Sequence, residues 1–197
     1  MVGYQKDQII RHVAMNYWGS LRRFMFIHNP RFLESNNVYS LWLAREWLKG
    51  DSFVALNADV AFDPETLPPA VASTAPITMI VDPAWRDETM KVVIEDHSIV
   101  RMSKQITERE FSATYIGITV VSRGIADRLF EKLDRLISEG QEKVFFNVGV
   151  QQLIGEGVRV GHTLTAGRVW AEIDDPGDLA FARVHVFPKL ARVEAAA

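Results

Sequence analysis

The chain has 197 residues, of which 48% are apolar and 24% are charged, and its formal net charge is −3. This composition is typical of a globular protein with one ordinary core, and it argues against a nucleic-acid partner, which would favour a basic surface. The absence of cysteine excludes disulfides, thiolate catalysis and cysteine-based zinc sites. No membrane-length apolar run and no signal peptide are visible, which predicts a cytoplasmic protein without a membrane partner.

Helix and strand patterns alternate along the first half of the chain. Apolar residues at helical spacing predict a helix over 9–17, and a strand pattern follows at 23–28. A second helix is predicted over 40–48. Two strands are then predicted at 53–56 and 76–81, with a proline-containing turn or short helix between them.

The second half begins with strands that have no helices between them, at 89–94, 98–102 and 113–121. Helix patterns follow from Ser122 and over 144–154 and 176–187, with strands between them at 158–164 and 168–173. Alternating strands and helices favour a three-layer α/β fold with a mostly parallel sheet, to which the middle strands add an antiparallel part. We expect the strand before Asp59 to be central. With no linker or repeat, residues 1–197 are interpreted as one domain.

Two acidic clusters stand at the ends of predicted strands. Asp59 follows an apolar run, and Glu172 and Asp174 follow another more than a hundred residues later. In an open α/β sheet such carboxylates open onto one crevice, where they can share a hard divalent cation that has a phosphate as its partner. The alternative is helix capping, which the position of Asp175 before Pro176 favours for that residue.

The residues that carry a family resemblance occur in order along nearly the whole chain: 2–9, 36–41, 58–59, 90–92, 103–104, 115–118 and 172–174. Together they resemble the nucleotidyltransferase family, and most of all its cytidylyltransferases of the phosphocholine type. The resemblance implies a Rossmann-like fold of the nucleotide-diphospho-sugar transferase type, with a mixed, mostly parallel sheet. It also implies transfer of a nucleotidyl group, CMP, from CTP or another NTP to a phosphorylated or phosphonylated small molecule such as phosphocholine. Pyrophosphate is released in that reaction.

The resemblance assigns roles to individual residues. The implied catalytic residues are Asp59 and Lys91, and the implied magnesium ligands are Asp59, Glu172 and Asp174. Asn37 and Ser40 would contact the nucleotide, and Trp85, Tyr115 and Lys104 would contact the acceptor. A tryptophan such as Trp85 could bind a quaternary ammonium head through a cation–π contact. Without the resemblance, Lys91 would be interpreted as a solvated lysine on the outer face of its strand.

The sequence departs from the family at its beginning. The family opens with a strand and a glycine-rich loop of the form L-A-A-G-x-G-x-R, whose N–H groups hold the nucleotide triphosphate. Here residues 2–4 resemble a later point, so we expect two βα units, about 60 residues, to precede them. The glycines between 155 and 161 follow a helix and are interpreted as a turn. We therefore expect an N-terminally incomplete chain that turns over CTP poorly.

Two alternatives stay open. The chain is a non-catalytic remnant that binds a ligand or partner, or it is a sugar-1-phosphate nucleotidyltransferase or a glycosyltransferase on the same fold. In either case an incomplete sheet would expose strand edges, which favours a homo-oligomer.

Overall fold

The computed structural model describes residues 1–17, 19 and 24–194. The described residues form two compact units. The first is drawn from Met1–Gly50 and Ala126–Leu153, and the second from Asp51–Ile125 and the described residues after Leu153. The prediction of a single domain stays a prediction.

The helices are α1 (Lys6–Tyr17), α2 (Asn37–Leu43), α3 (Arg45–Leu48), α4 (Leu67–Val71), α5 (Arg123–Ser138), α6 (Asn147–Gly155), α7 (Pro176–His185) and α8 (Phe187–Glu194). The strands are β1 (Phe53–Leu56), β2 (Val60–Phe62), β3 (Ile77–Asp82), β4 (Lys91–Glu95), β5 (Ser98–Ser103), β6 (Ala113–Val121), β7 (Val160–Leu164) and β8 (Trp170–Glu172). A 3₁₀ turn, Pro64–Thr66, precedes α4. No helix in the described part of the chain has the length and apolar character needed to cross a membrane.

The first unit contains α1 to α3 and the parts of α5 and α6 that fall within its ranges. These two helices pack closely, because a Cβ atom at Gly149 would lie 2.9 Å from a methyl carbon of Leu133. The helix predicted over 40–48 is two short helices that meet at Ala44. The strand predicted at 23–28 is wrong where it is described, since His28 forms only an isolated bridge with Val2. Arg23 lies outside the described residues.

The second unit is built on a six-stranded mixed sheet in the order β5-β4-β6-β3-β7, with β1 also paired to β6. Strands β1, β3, β4 and β7 run in one direction and β5 and β6 in the other, so among the described strands of this sheet only β3 and β7 are parallel neighbours. The mixed α/β class predicted from the sequence is confirmed. The expectation that β1 is central is wrong: among the described strands it pairs with β6 alone, and the long strand β6 takes the central place.

A separate two-stranded ribbon joins β2 to β8 in antiparallel register. Phe62 and Trp170 lie opposite each other and pack into a core cluster with strand residues that include Ile80. On the other face of the ribbon, Ala171 packs with Ala182 of α7, with Val186 between the two helices and with Leu190 of α8. The ribbon is thus fixed on both faces, and one of its ends carries both acidic clusters.

Candidate functional site

Asp59, Glu172 and Asp174 converge at one end of the β2–β8 ribbon. Asp59 immediately precedes β2, and Glu172 lies opposite Val60 as the last residue of β8. The Ile173 N–H donates to the Asp59 carbonyl at 2.8 Å, which continues the ladder past the strand ends. The structure therefore brings the predicted residues together by an antiparallel pairing. The expectation that they would meet at the carboxyl ends of neighbouring sheet strands was wrong.

One carboxylate oxygen from each of the three acids lies within 4.8 Å of the others. Asp59 and Asp174 are exposed and Glu172 is half-buried. Burial raises the pKa of Glu172, and the negative charges of Asp174 and Asp59 raise it further. Three oxygen donors that repel one another fit a hard divalent cation, whose charge would offset that repulsion. The residues present thus fit Mg²⁺, and the assignment of that ion stays a prediction.

The neighbouring carboxylates of Asp175 and Asp178 cap a helix. The Asp175 side chain accepts hydrogen bonds from the N–H groups of Gly177 and Asp178, at 2.6 and 2.9 Å. The Asp178 side chain accepts in turn from the N–H groups of Asp174 and Asp175, at 3.0 and 3.2 Å. This reciprocal cap begins α7. The capping role predicted for Asp175 is confirmed, and the cap fixes the backbone next to Asp174.

Asp82, at the end of β3, supports the ribbon and was missed in the sequence. One carboxylate oxygen accepts from the Thr165 hydroxyl at 2.6 Å and from the Trp170 indole N–H at 3.0 Å. The other accepts from the Ala84 N–H at 2.9 Å. Burial pushes the pKa of Asp82 up, but these hydrogen bonds, with Arg86 nearby, outweigh burial and leave the pKa below its ordinary value. The sequence contains a signal for this residue, because Asp82 ends an apolar strand and Asp59 likewise follows one.

Two cations act on the acidic cluster. The positive charges of Lys104 and Arg86 both lower the pKa of Glu172, against the effect of burial. The Arg86 guanidinium carbon lies 4.1 Å from the centre of the Trp170 ring. Lys104 was predicted as an acceptor contact, a role that stays a prediction. Arg86 was missed, because a single arginine in a polar loop has no pattern that distinguishes it.

Lys91 and Trp85 contact each other. Lys91 is only 2% exposed, so its interpretation as a solvated lysine is wrong. Its ammonium donates to the Thr89 carbonyl at 3.2 Å and lies 4.5 Å from the centre of the Trp85 ring. The ring of Phe111 also packs against Trp85, with centroids 5.0 Å apart. The ring that was predicted to receive a cationic acceptor therefore already holds a cation of this chain.

Tyr115 lies in the core near Glu172. It is 5% exposed, and its hydroxyl lies 2.8 Å from the Thr119 hydroxyl. Burial raises the pKa of Tyr115, and the charge of Glu172 raises it further. Tyr115 is thus a buried residue whose hydroxyl is affected by the charge of Glu172, and an acceptor contact stays a prediction.

Asn37 and Ser40 belong to the first unit, at the start of α2. The Asn37 side-chain oxygen accepts from the Phe146 N–H at 2.8 Å. The Ser40 hydroxyl accepts from the Asn29 side-chain amide at 3.1 Å. Both side chains thus accept hydrogen bonds from other segments of the first unit, and their contact with a nucleotide stays a prediction.

No protein-family model matches the sequence, and no curated protein matches it. Solved structures do match. An inositol-1-phosphate CTP transferase from T. maritima has a TM-score of 0.72 and 19% identity, over 90% of this chain and 69% of its own. A protein assigned as a glucose-1-phosphate thymidylyltransferase from Bacillus anthracis has a TM-score of 0.75 and 11% identity, over 91% and 72%. The CTP:phosphocholine cytidylyltransferase from Streptococcus pneumoniae has a TM-score of 0.68 and 18% identity, over 90% and 73%.

These structural neighbours are nucleotidyltransferases, and the chain has their fold. Their sequence identities to it, from 11% to 19%, are too low to carry more than the fold. The activity of this chain must therefore be argued from its own site.

Proposed function

We propose that the chain is a nucleotidyltransferase that transfers CMP from CTP to a phosphorylated or phosphonylated small molecule, with Mg²⁺ as its cofactor. The observation that carries the proposal is the group of three carboxylates at the end of the β2–β8 ribbon, with oxygen atoms within 4.8 Å of one another. The fold supports it, because the structural neighbours are named for nucleotidyl transfer to small phosphorylated molecules. We place the reaction in the cytoplasm.

The reaction that fits these residues is a direct displacement. An oxygen of the acceptor phosphate forms a bond to the α-phosphorus of CTP, the bond from that phosphorus to the β-phosphate bridging oxygen breaks, and pyrophosphate leaves. A bound Mg²⁺ would supply positive charge to the phosphate oxygens in the transition state. Asp59, Glu172 and Asp174 would hold it. Arg86 and Lys104, whose charges act on Glu172, would attract the anionic substrates to the same place.

The rate is expected to be low, because the sequence contains no glycine-rich loop of the L-A-A-G-x-G-x-R form. The loss of each preorganised N–H donor to a developing negative charge costs about two to three powers of ten in rate. The purified chain is therefore expected to bind CTP in a Mg²⁺-dependent manner and to release pyrophosphate far more slowly than ordinary enzymes do.

Phosphorus NMR of CTP with and without Mg²⁺ tests the expected binding, and a pyrophosphate-release assay tests the expected slow turnover. Asp59→Asn should abolish the Mg²⁺-dependent binding, and Asp96→Asn, at an exposed hairpin turn, serves as the matched control. CTP binding with the same affinity in the presence and absence of Mg²⁺, or no CTP binding at all, would contradict the proposed function. Pyrophosphate release at ordinary enzyme rates would contradict the expected need for the loop.

A further inference from the structure

The two tryptophans of the second unit, Trp85 and Trp170, each contact a cationic side chain of the same chain. The guanidinium carbon of Arg86 lies 4.1 Å from the Trp170 ring centre, and the Lys91 ammonium lies 4.5 Å from the Trp85 ring centre. Both distances fall within the range of cation–π attraction. Trp170 is on the same strand as Glu172, two residues before it, so the Arg86–Trp170 pair lies beside the carboxylates.

The Trp85 ring offers poor access to a second cation. Lys91 is 2% exposed and is fixed by its hydrogen bond to the Thr89 carbonyl. Phe111 packs against the same ring. A quaternary ammonium brought to Trp85 would also meet the like charge of Lys91 in a partly desolvated place, where repulsion is strong. The ring of Trp170 is no more available, since it is 5% exposed and Arg86 stacks on it.

The Arg86 guanidinium differs from the Lys91 ammonium in its hydrogen bonding. Within the described part of the chain, its guanidinium donates no hydrogen bond and forms no ion pair, although its charge acts on Asp82 and Glu172. A guanidinium presents N–H donors in one plane, and this arrangement matches two oxygens of a phosphate. Stacking on Trp170 fixes that plane in advance, which lowers the entropy cost of binding.

We propose that Arg86, held on Trp170, binds the phosphate of the acceptor, and that Lys91, held on Trp85, excludes acceptors with a cationic head. The acceptor class is then a phosphate ester of an uncharged sugar or polyol. This inference rests on the proposed function, because it assigns the acceptor of that same site. It departs from the sequence-based expectation of phosphocholine.

Equilibrium binding of two probe esters to the purified chain, measured by calorimetry in the presence of Mg²⁺, tests the inference. Glucose 1-phosphate should bind about tenfold or more tightly than choline phosphate. Arg86→Gln should weaken glucose 1-phosphate about tenfold, the scale of a lost charge-assisted contact. Arg159→Gln is the matched control, since it removes the same charge from an exposed arginine before β7 and should change nothing.

The role of Lys91 is tested by a variant that is expected to bind choline phosphate more tightly. Lys91→Met keeps an unbranched apolar stem and removes the charge, so choline phosphate should bind about tenfold more tightly and shift the Trp85 indole N–H resonance. Lys91→Arg keeps the charge and should keep the exclusion. Circular dichroism checks that each variant is folded, and if Lys91→Met is not, the preference of the unmodified chain between the two esters decides.

Equal affinity of the unmodified chain for both esters would overturn the exclusion of cationic heads. Unchanged glucose 1-phosphate affinity in Arg86→Gln would overturn the role of Arg86. Mg²⁺ binding, measured in parallel, separates this inference from the proposed function. A chain that binds Mg²⁺ but neither ester overturns the inference alone, whereas a chain that binds none of them overturns both.

Discussion

Two half-buried carboxylates of the second unit have pKa values shifted in opposite directions. Burial and the nearby charges of Asp174 and Asp59 raise the pKa of Glu172. Asp82 is also penalised by burial, but its hydrogen bonds from Thr165, Ala84 and Trp170 lower its pKa overall. Asp82 is therefore an anion whose charge the chain itself stabilises, whereas Glu172 would be stabilised by added positive charge. This contrast agrees with the assignment of Glu172 to the cation site, which rests on its convergence with Asp59 and Asp174.

Asp82→Asn is expected to destabilise the folded chain, because an amide replaces one acceptor oxygen with an N–H₂ group that faces donors. The free energy of unfolding should fall by about 1.5–3 kcal/mol, as measured by urea denaturation. Because the folded-state pKa lies below the ordinary value of 3.8, the contribution of Asp82 is complete at neutral pH. It is lost only as the pH falls through the folded pKa.

The difference between Asp82→Asn and the unmodified chain should therefore stay constant around neutral pH and shrink in acid. Asp96→Asn should change the free energy of unfolding by no more than about 0.5 kcal/mol, since that aspartate is an exposed turn residue. Equal stability of Asp82→Asn and the unmodified chain would show that the three hydrogen bonds contribute nothing.

At the scale of elements, the β2–β8 ribbon determines the site, and the sequence indicates it poorly. Each strand is three residues long, and the two are separated by more than a hundred residues. Periodicity reports only local structure, so it found the acids but not the antiparallel pairing that joins them. Long strands were easier to predict, because most of the nine residues of β6 are β-branched or aromatic. The roles of Arg86 and Lys91 could not be predicted, because they depend on contacts with tryptophan rings that no local sequence pattern indicates.

Gly117 connects the sheet to the turn that carries Asp59. It has a φ of +85° inside β6, and a Cβ atom there would lie 2.9 Å from the Asn57 side chain. Its carbonyl accepts from the Asn57 N–H at 2.9 Å. The opposite strand shifts register between Met79 and Val81, as expected beside a bulge. A residue without a side chain is needed here for the turn to approach.

Gly117→Ala should lower the free energy of unfolding by about 1–3 kcal/mol, because it combines a strained φ with a steric clash. It should also weaken Mg²⁺ binding, since Asn57 is two residues from Asp59. Gly124→Ala is the control: its added Cβ would have no atom within 4 Å apart from its chain neighbours and its own helix backbone, and alanine in a helix stabilises by up to about 1 kcal/mol. Thermal unfolding compares the two, and an unaffected Gly117→Ala would refute the role of the bulge.

At the scale of the whole chain, the fold was predictable and the strand order was not. The alternation of strands and helices was enough for the α/β class, and that class matches the nucleotidyltransferase neighbours. The position of β1 at the side of β6 depends on pairings between distant segments, which a single sequence does not contain. All three acids lie in the second unit, so the cation site can be tested on the chain as it stands.

The most direct test is Mg²⁺ binding measured by calorimetry on the purified chain. We expect one Mg²⁺ to bind per chain. Asp59→Asn and Asp174→Asn should each weaken it at least about tenfold, because each removes one charged oxygen ligand, and Asp96→Asn should leave it unchanged. No Mg²⁺ binding by the unmodified chain, or full binding by both Asp59→Asn and Asp174→Asn, would contradict the assignment of this site.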